Sequence, residues 1–577
     1  MQFRAIKILI TCFLAFHVIL IFELQSQTLH EIKDEKGILT ITLQAGDITT
    51  EEVSQLANKE LLTLFDKGYL KAHISGIESR DNSHTITLTK GPQFFYQLST
   101  SISLVILQNL RLERYFTGIP VSFKEFDKIT NSLLRWYENN GYPFAQLRKD
   151  ETAITDSIII LTLAAETMDF IVFDTLRVSG DANLNRRFLE NHLGIFPGQK
   201  YSEKVLQEAA LKLGELDFVS LTAPMQLNFA PGKARIDIPL QKDRANRFDG
   251  VAGVSGTGDS EQPLQLTGMF NLYLINAFSM GEFIDLAWKG LGQGTQILDV
   301  NAGYPYPFRL PLQSNAEFSL HRQDTSWLKI RTKPALQIQL SPKTRLGVFW
   351  EYMGSNLIST SQYADITTPP QNLDFRSNLY GLQISRKSTG FRQNLLQQGY
   401  LARVSAAAGN RNIIRNTNLP TEIYEQLDLK TLQIHLESHV KVRFNLGERS
   451  TFSLDNRLAF LNGNNNPANQ LFRLGGFQSL KGFDELSILA SSYLTSTAEY
   501  RFFTGPRSYL SVFVNGGWYE KKTKGQYVND FPIGTGTGLS LETQAGIFAI
   551  YFALGTKKDI PFEFRNAKIH IGYISTF

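Results

Sequence analysis

The chain has almost no thiols: Cys12 is its one cysteine in 577 residues. Thr11 precedes it and apolar residues follow, which argues against a lipid-modified N-terminus. Beyond it there is nothing from which to build a disulfide framework or a cysteine metal site. Long apolar runs are equally scarce. After the N-terminus none reaches the ~18 residues that a membrane helix requires, so a bilayer could be crossed only by a closed barrel. Charge of one sign is also missing, with 58 Lys and Arg against 54 Asp and Glu, which argues against a nucleic-acid partner. His435 and His439 fall on one strand face, but four strand residues span ~13 Å, too far for one ion. Gly534 to Gly538 alternates Gly and Thr, yet lacks the lysine and helix of a phosphate loop. No Ser/His/Asp spacing suggests a hydrolase. The expectation is therefore a protein that is not an enzyme and needs no cofactor or metal.

What the chain does have is alternation. From Leu432 to Phe444, Leu432, Ile434, Leu436, Val440, Val442 and Phe444 share one parity, while Gln433, His435, Glu437, His439, Lys441 and Arg443 share the other. Successive strand side chains point to opposite faces, so one face suits lipid and the other water. The pattern recurs at Leu346 to Tyr352, Tyr380 to Ile384, Phe452 to Phe460 and Phe548 to Leu554. From Arg247 onward it predicts about sixteen antiparallel strands, from 248–259 to 566–577. Long connections (356–373, 409–429, 462–491 and 519–532) follow odd-numbered strands, and short turns follow even ones. Both barrel ends then lie on the side of the N-terminal region.

Residues 1–27 read as a secretory signal: Arg4 and Lys7, an apolar core from Ile8 to Phe22, then polar Gln25-Ser26-Gln27. Between it and the barrel, helical periodicity appears at Glu51 to Phe65, Phe123 to Asn139 and Tyr201 to Leu213. Two helices run into Gly68-Tyr69 and Gly141-Tyr142, where Gly ends the helix in a left-handed cap and Tyr opens a strand. A third, looser unit lacks the Gly-Tyr pair. The expected organisation is three α+β modules, 28–91 (short, with one clear helix), 92–167 and 168–245, followed by the barrel, 246–577.

These β-α-α-β-β repeats resemble POTRA domains, and the loop 462–491 strengthens the likeness. Its Leu480-Lys481-Gly482-Phe483 is similar to the Val/Ile-Arg-Gly-Phe/Tyr signature of the BamA/TamA-like outer-membrane assembly superfamily. In that family the loop folds into the lumen, and its arginine meets acidic and polar groups on the next two strands. The resemblance assigns that lock to Lys481, Gly482 and Phe483, with Glu499 and Asn515 as wall partners; Phe513-x-Asn515-x-Gly517 is similar to the family's Phe-x-Asp-x-Gly. Lys replaces Arg and Asn replaces Asp, so a bidentate ionic fork gives way to a point charge and a neutral dipole. Loop placement is then expected to rest partly on packing by Phe477, Leu480 and Phe483.

The C-terminal His570 to Phe577 is similar to the end signal of bacterial barrels. Closure joins the first strand to the last, and Gly250, Gly253 and Gly256 in one and Gly572 in the other weaken both. The expected lateral gate comprises Gly250, Val251, Gly253, Gly256, Gly572, Tyr573 and Phe577. By resemblance, the function is insertion or translocation of client polypeptides at the bacterial outer membrane, with the modules in the periplasm. The implied partners are unfolded outer-membrane or secreted clients, outer-membrane lipid, and a periplasmic or inner-membrane protein docking on the modules. The alternatives are a two-partner secretion transporter that threads clients through the lumen, and a passive channel or surface barrel.

Overall fold

The computed structural model describes residues 30–576, except 36, 45–49, 81–82, 257–263, 293, 342, 364, 389–394, 397, 477–478, 544–545 and 559. The expected signal, Phe477 and Phe577 lie outside the described residues.

The first module is β1 (His30–Glu35), β2 (Ile38–Gln44), α1 (Thr50–Asp66), β3 (His73–Arg80) and β4 (Ser83–Thr89), with sheet order β1-β2-β4-β3. The second is β5 (Phe95–Thr100), α2 (Leu104–Asn109), α3 (Phe123–Glu138), β6 (Gln146–Thr155) and β7 (Ile158–Glu166), in order β5-β7-β6. Helix number decides strand sense. Two helices intervene in the second module, and β5 runs parallel to β7, the second strand after them. One helix intervenes in the first, and β2 runs antiparallel to its counterpart β4. The first module therefore departs from the β-α-α-β-β plan: it has one fewer helix and an extra hairpin strand, β1.

Local sequence sets the helix ends. Ser122 and Glu125 form a reciprocal capping box at the start of α3, with Glu125 N–H donating to Ser122 Oγ (3.3 Å) and Ser122 N–H to Glu125 Oε2 (3.0 Å). Phe126, Ile129, Leu133 and Tyr137, spaced three and four apart, face the module's core. Gly68 and Gly141 lie at φ 91° and 95°, the left-handed conformation their positions after the helices require.

The third module repeats the second: β8 (Val172–Ser179), α4 (Arg186–Leu193), α5 (Glu203–Leu213), β9 (Val219–Leu221), β10 (Gln226–Ala230) and β11 (Lys233–Lys242), with β8 parallel to β11. Its core gathers Phe173, Leu189, Leu193, Ile236 and Ile238.

Sixteen antiparallel strands, among the described residues, close the barrel from Arg247–Gly256 to Lys568–Thr576. A short extra strand, Gln526–Asp530, pairs with the outer end of the thirteenth, Tyr509–Thr523. This corrects the reading of 519–532 as loop: Gly525 at φ 70° turns a hairpin that carries charged residues beyond the wall. Outward positions such as Val348, Leu382, Val512 and Ile569 are exposed and apolar. Buried inward ones, such as Glu351, Gln433, Thr451 and Asn515, are polar. That inversion of the usual core is what a lipid exterior and wet lumen demand.

The third module joins the barrel through turns that follow even-numbered strands, as the connection lengths predict. Asn185 N–H donates to Ser279 O (2.7 Å), and Asn276 Nδ2 to Asn183 O (3.1 Å). His192 is buried between Tyr306 Oη (2.9 Å from Nδ1) and Lys212 O (3.0 Å from Nε2). Burial holds its imidazole down at about 4. The unfolded chain, near ~6.5 for this group, takes the proton first, so stability present at neutral pH should fall as pH drops from ~6.5 towards about 4. Hydrogen exchange of Arg186–Leu193, corrected for intrinsic rate, should lose protection over that window. His192→Gln should flatten the dependence.

Candidate functional site: the in-folded loop and the strand seam

The loop between the eleventh strand (Ser450–Leu461) and the twelfth (Ser492–Phe503) returns into the lumen. Its root is held by amides: Asn469 Nδ2 donates to Ser355 Oγ and to Leu373 O (both 2.9 Å), and Gln470 Nε2 to Gln433 Oε1 (2.6 Å). A two-stranded hairpin, Phe472–Leu474 with Ile488–Ala490, then carries the tip. Leu480 and Phe483 are buried with Leu474, Ile488, Ala490 and Tyr519, so the expected apolar packing is present for those two.

The tip seats in a notch made by missing side chains. A Cβ on Gly534 of the fourteenth strand, Ile533–Glu542, would lie 2.3 Å from Lys481 O. One on Gly555 of the fifteenth, Ile547–Thr556, would lie 2.5 Å from Gly482 O. Gly482 itself is at φ 95° with the wall backbone 2.7 Å from where its Cβ would stand. Such approaches exclude every residue but glycine at the contact. The Gly-Thr alternation that begins at Gly534, dismissed above as a phosphate loop, serves close backbone approach here.

The expected partners assemble around this seat, but through different atoms. Asn515 Nδ2 donates to Lys481 O (3.3 Å), so it fixes the loop's backbone instead of the lysine side chain. Glu499 pairs with Arg501, two residues along its own strand and on the same face (2.8 Å). The Lys481 ammonium lies 4.8 Å over the Phe513 ring, in cation–π range. Lys481 and Glu499 share the lining of a cavity of about 40 Å³ with Lys441, Asp455 and Arg457. The fork-to-carboxylate arrangement of the signature is thus replaced by a carbonyl contact, a ring and a mixed charged cavity.

The seam is short. The first and last strands share three register pairs among the described residues: Arg247↔Thr576, Phe248↔Ser575 and Asp249↔Ile574. The first strand shares ten with the second, Leu264–Ile275, and the last shares seven with the fifteenth. From Gly250 to Gly256 the first strand pairs only with the second. Lys568 to Tyr573 shares register pairs with the fifteenth. Gly250, Val251, Gly253, Gly256, Gly572 and Tyr573 therefore lie outside the three register pairs of the seam. Pairing survives at the module end alone.

Residues 415–568, which include the loop and the wall that holds it, match the family model of the Omp85 superfamily domain. That stretch of the barrel is an Omp85 superfamily domain. Among solved structures, this chain is similar to CdiB from Escherichia coli, at 13% identity over 92% of this chain and 100% of that one, with a TM-score of 0.55. It is also similar to CdiB from Acinetobacter baumannii (12%, 91% and 97%, 0.55). BamA from Haemophilus ducreyi lacking POTRA domains 1–3 matches at 14%, over 83% and 99%, with a TM-score of 0.44. At these identities the CdiB likeness speaks for the fold. No curated protein sequence matches. The Omp85 domain goes with a bacterial outer-membrane protein.

The notch predicts an unequal response to substitution. Gly534→Val or Gly555→Val should unseat the tip and speed trypsin cleavage after Lys481, while the folded barrel still migrates ahead of its boiled form on gels. Lys481→Ala keeps the carbonyl contact and should leave the seat largely intact, measured by cleavage after Arg473. Equal loosening by all three would contradict the backbone seat.

Proposed function

We propose that this protein takes up unfolded client polypeptides through its N-terminal modules and inserts or translocates them at the seam between the first and last strands. It catalyses no covalent reaction. The observation that carries this reading is the seam itself, with three register pairs where its neighbours have ten and seven. A strand edge left unpaired over seven residues, Gly250 to Gly256, is a template to which an incoming strand adds by β-augmentation. The α+β modules offer further sheet edges of the same kind, and the periplasm is where such clients would meet them.

The far end of the barrel supports a lateral exit. Leu373, Ile413, Leu419, Ile423 and Tyr424 form a small core of their own from two long loops, with Leu357 and Tyr363 packed against it. Asp374 ties it together, accepting from Asn416 Nδ2 (2.7 Å). Lys524 on the thirteenth-strand hairpin donates to Gln426 O (2.7 Å). With this cap above and the in-folded loop within, a lumenal route needs two rearrangements and the seam needs one.

Threading through the lumen is the second reading. It is favoured by a cavity of about 490 Å³ at the module end, lined by Lys343, Arg345, Lys387 and Arg403 together with Glu215 and Asp285. A disulfide across the seam separates the two. Phe248→Cys with Ser575→Cys occupies opposed positions, where antiparallel Cα spacing of ~4.5–5.5 Å suits the bond. In liposomes, oxidation should abolish client insertion and reduction restore it. Insertion that survives oxidation would contradict the gate, soluble client export through an oxidised seam would support threading, and solute flux without client handling would indicate a channel.

A further inference from the structure

The loop tip makes two ion pairs that the lock motif does not include. Asp484 Oδ1 is 2.6 Å from Lys568 Nζ, at the start of the last strand. Its neighbour Glu485 places Oε1 2.6 Å from Lys289 Nζ, on the third strand, Phe283–Gly292. Last, first, second and third strands are consecutive around the wall. Two adjacent carboxylates thus grip the wall on both sides of the seam. Lys568 begins a strand that runs towards the modules, and Lys289 stands near the end of one that runs away from them. Both pairs therefore lie towards the far end, where register pairing has stopped.

The backbone is shaped for this grip. Gly476 sits at φ 90°, and a Cβ there would lie 1.6 Å from Glu485 Oε2. Gly476 N–H also donates to Phe483 O (3.1 Å), which folds the loop back on the acidic step. The Lys289–Glu485 pair is well covered, at 15% and 19% side-chain exposure. The Lys568–Asp484 pair is open, at 35% and 71%, and correspondingly sensitive to salt.

We propose that Asp484 and Glu485 form an ionic latch that keeps the two flanks of the seam's unpaired far end close together, so that withdrawing the loop and spreading the seam are a single event. The module end is held by backbone pairing and the far end by the loop. The latch follows from the barrel's geometry alone; only the consequence of its release rests on the gate reading.

The test uses the full chain, with Cys12 replaced if it is retained, in lipid nanodiscs. Spin labels at Gly256→Cys on the first strand and Ile569→Cys on the last report the seam directly. Lys289→Glu with Lys568→Glu should lengthen the interspin distance by at least one strand spacing, ~5 Å. Adding Asp484→Lys with Glu485→Lys should restore it. Raising salt from 0.05 M to 1 M, a fall in Debye length to about 3 Å, should broaden the wild-type distribution towards the long distance. Retained heat-modifiable migration shows that each variant is folded. An unchanged distance in the reversal variant would overturn the latch, whether or not trypsin finds the loop released. Because no client is present, these outcomes stand apart from the insertion assay.

Discussion

Inside hydrocarbon every backbone N–H and C=O needs a partner, and each one left without costs several kcal/mol. Among the described residues, fifteen of the sixteen joints around this barrel share between seven and fourteen register pairs. The joint between first and last strands shares three. Strand ends can splay or thin the lipid around them, but the cost falls only when another strand pairs with the edge. A partner that brings its own unpaired backbone groups, an unfolded polypeptide, is the most economical occupant. The proposed activity is thus a consequence of an incomplete ladder in a solvent that offers no hydrogen bonds.

The loop is the counterweight. Its seat depends on close backbone approach at Gly482, Gly534 and Gly555, which gives a shape that only one loop conformation fills. Charge then acts around that seat. Asn515 holds the Lys481 carbonyl, Phe513 lies under the ammonium, and Asp484 and Glu485 reach both flanks of the seam. This explains how Lys can stand where the superfamily signature has Arg: the carbonyl at that position carries a contact that does not depend on the side chain.

The barrel was legible in sequence because its signal is local. Period-two alternation in strands such as Lys430–Gly447 needs no knowledge of neighbours, and turn lengths fixed which end faces the modules. The first module was less so. His30–Glu35 is mostly charged and shows no apolar face, so β1 is visible only through its pairing with β2. The site split in the same way. Lys481, Gly482, Phe483 and Asn515 were found by motif, and the structure brings them together. The pairing of Glu499 with Arg501 was written in its own strand, since residues two apart share a face, yet the motif drew attention elsewhere. Asp484 and Glu485 sit next to the motif, but their partners lie 84 and 196 positions away. No local pattern marks a contact at that separation.

The most direct measurement is residue-resolved hydrogen exchange on the full chain in nanodiscs, without client. Amides of Gly250 to Gly256 directed at the last strand should be no better protected than loop amides. Arg247 to Asp249 and the second strand should remain protected. Uniform protection along both seam strands, equal to that of their neighbours, would show a completed ladder and contradict the account.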